Sequence, residues 1–217
     1  MAQSPLTVAK ATAGRLLHGT AELPSTAVRH WRITVPLVVG AGLLIAYGDA
    51  PASGAIQSSS LETTSNTWST RGLLFIEPAF LITAAGFEEH CLLCPGVADF
   101  AAETITSELY ATVAVQVLKF GAGRERPGAT MDGDGGFNES GSSFPSGHAI
   151  AAFTMASVLA HRYPQSKWAD WGAYALATSV AGARFTAKEH FPSDLLIGST
   201  LGELIGASAP RSLTAVH

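Results

Sequence analysis

Residues that typically start or end helices recur in the last third of the chain, and they constrain the fold more than any other feature. Three stretches with no proline after their first residue, 146–163, 166–183 and 192–207, begin at Ser146, Ser166 and Pro192. Serine is a preferred N-cap residue, and proline suits the first position of a helix. Pro164 directly follows the first stretch, where it would end a helix. We therefore predict three successive helices joined by short turns.

A fourth helix is predicted over residues 99–120. Asp99 is placed to cap its start, Lys119 falls in its last turn, and Gly121 favours its end. Apolar residues recur at every fourth position, which puts them on one face of a helix. That face consists of Ile105, Leu109, Val113 and Val117.

The first half of the chain is less regular. Residues 72–87 are apolar, but Pro78 should end or kink a helix there. Residues 48–70 are rich in serine, threonine and glycine and are predicted to be a linker. Strand signals are almost absent. We predict one all-α bundle of about five or six helices over residues 71–208, with a basic segment at 1–32 and a short tail at 209–217.

Residues 33–47 form the most apolar run of the chain. The run is short for a membrane span, which takes roughly 20 residues, so an anchor, a signal sequence and a first core helix are all open interpretations. Four basic residues precede it against one acidic residue, which favours a cytoplasmic N-terminus and places the rest of the chain outside. These are Lys10, Arg15, Arg29 and Arg32, against Glu22.

Composition limits the partners that the chain can bind. The net charge is −4, so no basic excess supports binding to nucleic acid. The two cysteines, Cys91 and Cys94, form a lone C-x-x-C pair without further ligands nearby, so no metal site is predicted.

Three short stretches carry the residues suited to chemistry. They contribute three cations, two histidines and a carboxylate, a set suited to holding a highly charged oxyanion and attacking its centre. Phosphate is the natural oxyanion of this kind. The stretches are Lys119 with Arg126 and Pro127; Pro145, Ser146, Gly147 and His148; and Arg184 with His190 and Asp194.

Local structure suggests roles for several of these residues. Ser146, Gly147 and His148 begin a predicted helix, where free backbone N–H groups and the helix dipole favour an anion. Asp194 lies one turn after His190, where its carboxylate could accept the Nδ1 proton and leave Nε2 ready to attack. The neighbouring charges Arg124, Glu125, Lys188 and Glu189 are predicted to be solvated or weakly paired.

The spacing of the three stretches resembles the signature of the type 2 phosphatidic acid phosphatase superfamily. K-x6-R-P, P-S-G-H and S-R-x5-H-x3-D all match, except that Ala183 stands where the pattern has serine. The resemblance covers roughly residues 70–208. It implies that His190 attacks phosphorus, that His148 protonates the leaving oxygen, and that Asp194 orients His190. The phosphate would be held by Lys119, Arg126, Ser146, Gly147 and Arg184.

The expected function is therefore that of a phosphatase that needs no metal or other cofactor. Its expected substrate is a phosphomonoester or pyrophosphate of a lipid, cleaved through a phosphohistidine at the outer face of a membrane. A soluble acid phosphatase of broad specificity, a vanadate-dependent haloperoxidase and a noncatalytic membrane protein are the alternatives. Loss of the serine hydroxyl at Ala183 is expected to loosen the placement of Arg184.

Overall fold

The computed structural model describes residues 28, 31–56, 59–88, 95–129 and 135–208. Within these ranges every regular element is helical, which confirms the all-α prediction. The elements are α1 (Trp31–Leu43), a π-helical turn (Leu44–Gly48), α2 (Asp49–Gly54), α3 (Ser59–Phe87), α4 (Pro95–Ala122), α5 (Gly147–Arg162), α6 (Lys167–Thr186) and α7 (Pro192–Ala207). Because α1, the π-turn and α2 are continuous, the described residues form six helical rods.

The predicted helix starts in the last third of the chain are confirmed. Ser146 precedes α5, and its Oγ accepts a hydrogen bond from the N–H of Ala149 at 3.4 Å. Ser166 caps α6 in the same way, with the N–H of Ala169 at 3.3 Å. Pro192 occupies the first turn of α7. These caps satisfy donors that a helix start otherwise leaves without partners.

The linker predicted over residues 48–70 is wrong, because most of this segment is helical. Asp49 begins α2, and α3 begins at Ser59. Hydroxyl groups in α3 find acceptors inside the helix: Thr63 Oγ1 donates to the Ser59 carbonyl at 3.2 Å, and Thr67 Oγ1 to that of Thr63 at 3.0 Å. The composition reflects a polar helix face rather than a loop.

Two other boundaries differ from expectation. Helix α3 does not end at Pro78, since Ile76 and Phe80 on either side of it are buried in the core. Helix α4 starts at Pro95, so Asp99 lies within the helix and does not cap it. Tertiary packing outweighs the local cost of a proline in a helix interior.

Helix α5 lies at the centre of the bundle and packs against α3, α4, α6 and α7. Its contact with α7 is very close because a glycine faces α5 at every fourth position of α7. A Cβ atom added to Gly198 would lie 2.8 Å from the Ser146 carbonyl oxygen, and one added to Gly202 only 2.4 Å from that of Ile150. The glycines thus let α7 present its first turn directly beside the start of α5.

Large apolar side chains remain exposed on the outer helices. The regular apolar face of α4 points outward, with Val117 67% exposed. Two helical segments, Thr34–Gly54 and Ser59–Phe87, have the length and hydropathy of a membrane span, and only 11% and 28% of their most apolar windows are buried. Hydrocarbon is a suitable environment for such a surface.

We predict that Gly202→Ala destabilises the protein. The new methyl group would overlap the backbone of α5, and overpacking of this kind costs about 1–3 kcal/mol. Gly182→Ala is the matched control, because nothing lies within 4 Å of a Cβ atom there and alanine favours a helix. Thermal unfolding should show a lower Tm for Gly202→Ala only. Equal Tm values for the two variants would contradict the close contact between α5 and α7.

Candidate active site

The predicted site residues meet at one end of the bundle. Lys119 comes from the last turn of α4, Arg184 from the last turn of α6, and His148 from the first turn of α5. Four neighbouring groups act on the charge of the His148 ring: Arg184, His190, Lys119 and Arg126. The three sequence stretches, which are far apart in the chain, therefore share one site.

The loop before α5 completes this site. Its residues 135–143 pair with the backbone after α4: the N–H of Ser143 donates to the Arg124 carbonyl at 2.8 Å, and the N–H of Glu139 to that of Gly123 at 2.9 Å. The next contact reaches the site itself, because Lys119 Nζ donates to the Ser142 carbonyl at 2.6 Å. The described part of this glycine-rich loop therefore borders the site.

His190 is buried, and one hydrogen bond sets its orientation. Its Nδ1 lies 2.7 Å from the carbonyl oxygen of Ser143. A carbonyl oxygen can only accept, so Nδ1 carries the proton and the lone pair of a neutral ring is on Nε2. Burial lowers the pKa of His190, and the Asp194 carboxylate opposes this effect. A neutral imidazole with its lone pair on Nε2 has the form that a nucleophilic histidine requires.

The expected direct hydrogen bond between His190 and Asp194 is not formed. Asp194 Oδ2 lies 3.8 Å from His190 Nδ1 and instead accepts from Ser143 Oγ at 2.5 Å and from the N–H of Phe191 at 2.9 Å. Asp194 is the third residue of α7, so its carboxylate turns back to cap that helix. The contact between Asp194 and His190 therefore runs mainly through Ser143.

The interpretation of Arg124 as a solvated charge is wrong. Its side chain is 1% exposed, and its Nη1 donates to Asp194 Oδ1 at 2.7 Å. Its Nη2 donates to Asp49 Oδ2 at 2.8 Å. The guanidinium also lies over the Phe191 ring, 4.0 Å from the centroid. Burial raises the pKa of Asp194, but Arg124 and the hydrogen bonds to this carboxylate hold it below its usual value.

Arg184 is held by the helix that was predicted as a linker. Its Nη1 donates to Asn66 Oδ1 at 2.8 Å and to Ser69 Oγ at 3.2 Å, both in α3. These contacts fix the buried guanidinium without a hydroxyl at position 183. The expectation that Ala183 loosens Arg184 is therefore not supported by this geometry.

Glu189 joins two of the predicted phosphate ligands. Its Oε2 pairs with Nη1 of Arg126 and, at 3.1 Å, with Nη2 of Arg184. A carboxylate and a phosphate group offer arginine the same kind of acceptor. Glu189 thus holds both guanidinium groups close together.

Ser146 and Gly147 begin the central helix, as predicted. Ser146 is fully buried, and its N–H donates to the Asp194 carbonyl at 3.1 Å. Gly147 and His148 follow in the first turn, whose N–H groups have no acceptor within the helix. Direct phosphate binding by Ser146 and Gly147 stays a prediction, whereas their placement beside His148 and Asp194 follows from the fold.

Burial and the surrounding cations lower the pKa of His148 from its usual 6.5 to about 4. Arg184 contributes most among the charges. A bound anion would offset these cations and raise the pKa again. His148 can therefore gain a proton as the anion enters, which is the state required of a general acid.

Several contributors to the site were not identified from the sequence, and three of them lie far from its motifs. Asp49, Asn66 and Ser69 come from segments predicted to be a linker, and no local motif marks them. In the part of the chain that the structure describes, no three His, Cys, Asp or Glu side chains form a group that could hold a metal ion. Cys91 and Cys94 lie outside the described residues.

Fold and site together define a helical-bundle protein with a cluster of three cations and two histidines at one end. The family model for the PAP2 superfamily matches residues 100–216, just over half of the chain, and includes every predicted site residue. The chain belongs to the PAP2 superfamily, as its sequence motifs predicted.

Individual relatives cover different parts of the chain. A lipid A 1-phosphatase of Porphyromonas gingivalis is 32% identical over 93 residues, which are 42% of this chain but only 19% of that protein. Two crystal structures share the fold at 24% identity. The LpxE protein of Aquifex aeolicus gives a TM-score of 0.51 over 71% of this chain and 87% of its own. A transmembrane PAP2-type phosphatidylglycerolphosphate phosphatase of Bacillus subtilis gives 0.56, over 79% and 91%.

We predict that Glu189→Gln tightens anion binding by about tenfold, which corresponds to about 1.4 kcal/mol. The substitution removes a negative charge that faces the anion and frees both arginines. Inhibition by vanadate or isothermal titration with phosphate measures the change. Glu139→Gln on the exposed part of the loop is the control. Weaker binding by Glu189→Gln than by this control would show that Glu189 supports the anion site.

A second prediction concerns the protonation of His148. NMR titration should give a pKa near 4 in the free protein and a higher value with saturating phosphate, because the dianion offsets the positive charge around the ring. Chloride at matched ionic strength should leave the value near 4. A His148 pKa that does not respond to phosphate would place the anion away from this ring.

Proposed function

We propose that the protein is a metal-independent phosphatase that releases phosphate from a lipid phosphomonoester or pyrophosphate. The observation that carries this proposal is the convergence of His148 and His190 with three cations at one end of the bundle. The cations can offset the charge of the phosphoryl oxygens, which is the main requirement of phosphoryl transfer.

In the first step, Nε2 of His190 would attack phosphorus. A P–N bond forms as the bond to the leaving oxygen breaks, and His148 gives that oxygen a proton. The Nδ1 proton stays on His190 and is held by the Ser143 carbonyl, which supports the positive charge that develops on the ring.

In the second step, water would attack the phosphohistidine. His148, now neutral, takes a proton from this water, and phosphate leaves as the P–N bond breaks. His190 returns to its neutral form and His148 regains its proton. Lys119, Arg126 and Arg184 would hold the phosphoryl oxygens in the same place during both steps.

A lipid substrate is supported by the outer surface of the bundle and by the relatives. The apolar faces of the outer helices suit a membrane, and two helical segments are long enough to span it. Relatives of this chain are named as phosphatases of lipid A and of phosphatidylglycerolphosphate. The charge distribution before residue 33 supports an active site on the extracytoplasmic side.

Activity of the two histidine variants tests the mechanism. We expect His190→Ala to fold but to lose turnover, because the nucleophile is missing. In His148→Ala, hydrolysis of an aryl phosphate should fall less than that of a lipid phosphate, since the aryl leaving group needs less protonation. EDTA should leave the wild-type rate unchanged. Wild-type turnover by His190→Ala, or halide oxidation in place of phosphate release, would contradict the proposal.

A further inference from the structure

Asp49 reaches the active site from outside the segment that the family model matches, which begins at residue 100. It is 2% exposed at the end of the first helical rod. Ala41, also 2% exposed, lies eight residues earlier, and an ideal α-helix would place the two side chains about 80° apart. The π-turn at Leu44–Gly48 contains more residues per turn than an α-helix. It therefore brings the side chains of Ala41 and Asp49 to the same, inner face of the rod.

Asp49 binds two partners at the base of the site. Its Oδ2 accepts from Arg124 Nη2 at 2.8 Å and from Ser193 Oγ at 2.5 Å, and its Oδ1 accepts from the N–H of Ser193 at 3.1 Å. It thereby ties the guanidinium to the first turn of α7. One carboxylate sets both the direction of Arg124 and the position of the helix start that carries Asp194.

The contacts continue from Arg124 to the nucleophile. Arg124 donates to Asp194, Asp194 accepts the hydroxyl proton of Ser143, and the Ser143 carbonyl accepts the Nδ1 proton of His190. Each of these links is 2.5–2.7 Å long. Every member is buried, so water does not compete for these hydrogen bonds.

We propose that Asp49 and Arg124 are positioning residues that aim His190 at phosphorus through Asp194 and Ser143. This inference rests on the proposed phosphatase function. None of the described contacts of Asp49 involves the predicted phosphate clamp, so its loss should affect the chemical step and leave substrate binding unchanged. Misplacement of a reacting group by about 1 Å can cost about 100-fold in rate.

The test compares Asp49→Asn with Ser53→Ala in the full-length chain. Ser53 lies one turn later on the same helix, is also buried, and has an Oγ without a hydrogen-bond partner in the described structure. We expect Asp49→Asn to lower kcat by about 10- to 100-fold with KM within about twofold of the wild type. Ser53→Ala should change neither constant.

NMR gives a readout that does not depend on turnover. The Nδ1 proton of His190 should give a downfield resonance that shifts or broadens in Asp49→Asn and stays in place in Ser53→Ala. The charged groups that face His190 are unchanged in both variants: Asp194, Arg184, Lys119 and His148.

The possible outcomes separate the two claims. A wild-type protein that releases no phosphate contradicts the proposed function, while the NMR comparison still tests the positioning role. Equal kcat and equal His190 resonances in Asp49→Asn and Ser53→Ala would overturn that role. If Asp49→Asn does not fold, Arg124→Lys takes its place, since lysine keeps the charge but cannot bridge two carboxylates in the same way. Wild-type kcat in Arg124→Lys would also overturn it.

Discussion

The buried ion pair between Arg124 and Asp194 is the interaction on which the site depends. It joins the loop after α4 to the first turn of α7, and Asp49 adds the end of the first helical rod. Burying these charges is costly, and removing one partner of such a pair destabilises a protein by about 3–5 kcal/mol. The structure offsets this cost with hydrogen bonds from Ser193 and with the Phe191 ring against the guanidinium.

This network also explains why some charged residues of the site are buried and others are accessible. Arg124 is enclosed by acceptors and cannot reach an anion, whereas Arg126 is 41% exposed and Lys119 is only partly buried. Glu189 pairs with Arg126 and Arg184. One cation, Arg124, thus fixes the fold of the site, and Arg126 and Lys119 lie nearer to solvent, where a ligand could reach them.

The sequence predicts those parts of the structure that depend on local chemistry. The starts of α5, α6 and α7 follow from capping residues, and the three motifs correctly group Lys119, Arg184 and His190 in one site. The burial of Arg124 could not be predicted because it depends on Asp49, which is 75 residues away in the chain. Charged side chains are mostly exposed, so a sequence-based prediction places one in solvent when its partner is distant in the chain.

The same reason explains the error over residues 48–70. Serine, threonine and asparagine are common in loops, but here Asn66 and Ser69 lie in α3 and bind Arg184. The orientation of His190 shows the limit of motif spacing in another way. The spacing correctly places Asp194 near the histidine, but the backbone carbonyl of Ser143 is the direct acceptor of its proton. Tertiary contacts made by the loop decide this detail.

A crystal structure with orthovanadate tests the central claim most directly, because vanadate can adopt the geometry of phosphorus under attack. The account predicts that vanadium is bound to Nε2 of His190, with its oxygens on Lys119, Arg126 and Arg184 and with Nδ1 still bonded to the Ser143 carbonyl. Glu189 should have left the two arginines. Vanadate bound elsewhere, or bound through Nδ1 of a rotated His190 ring, would contradict the account.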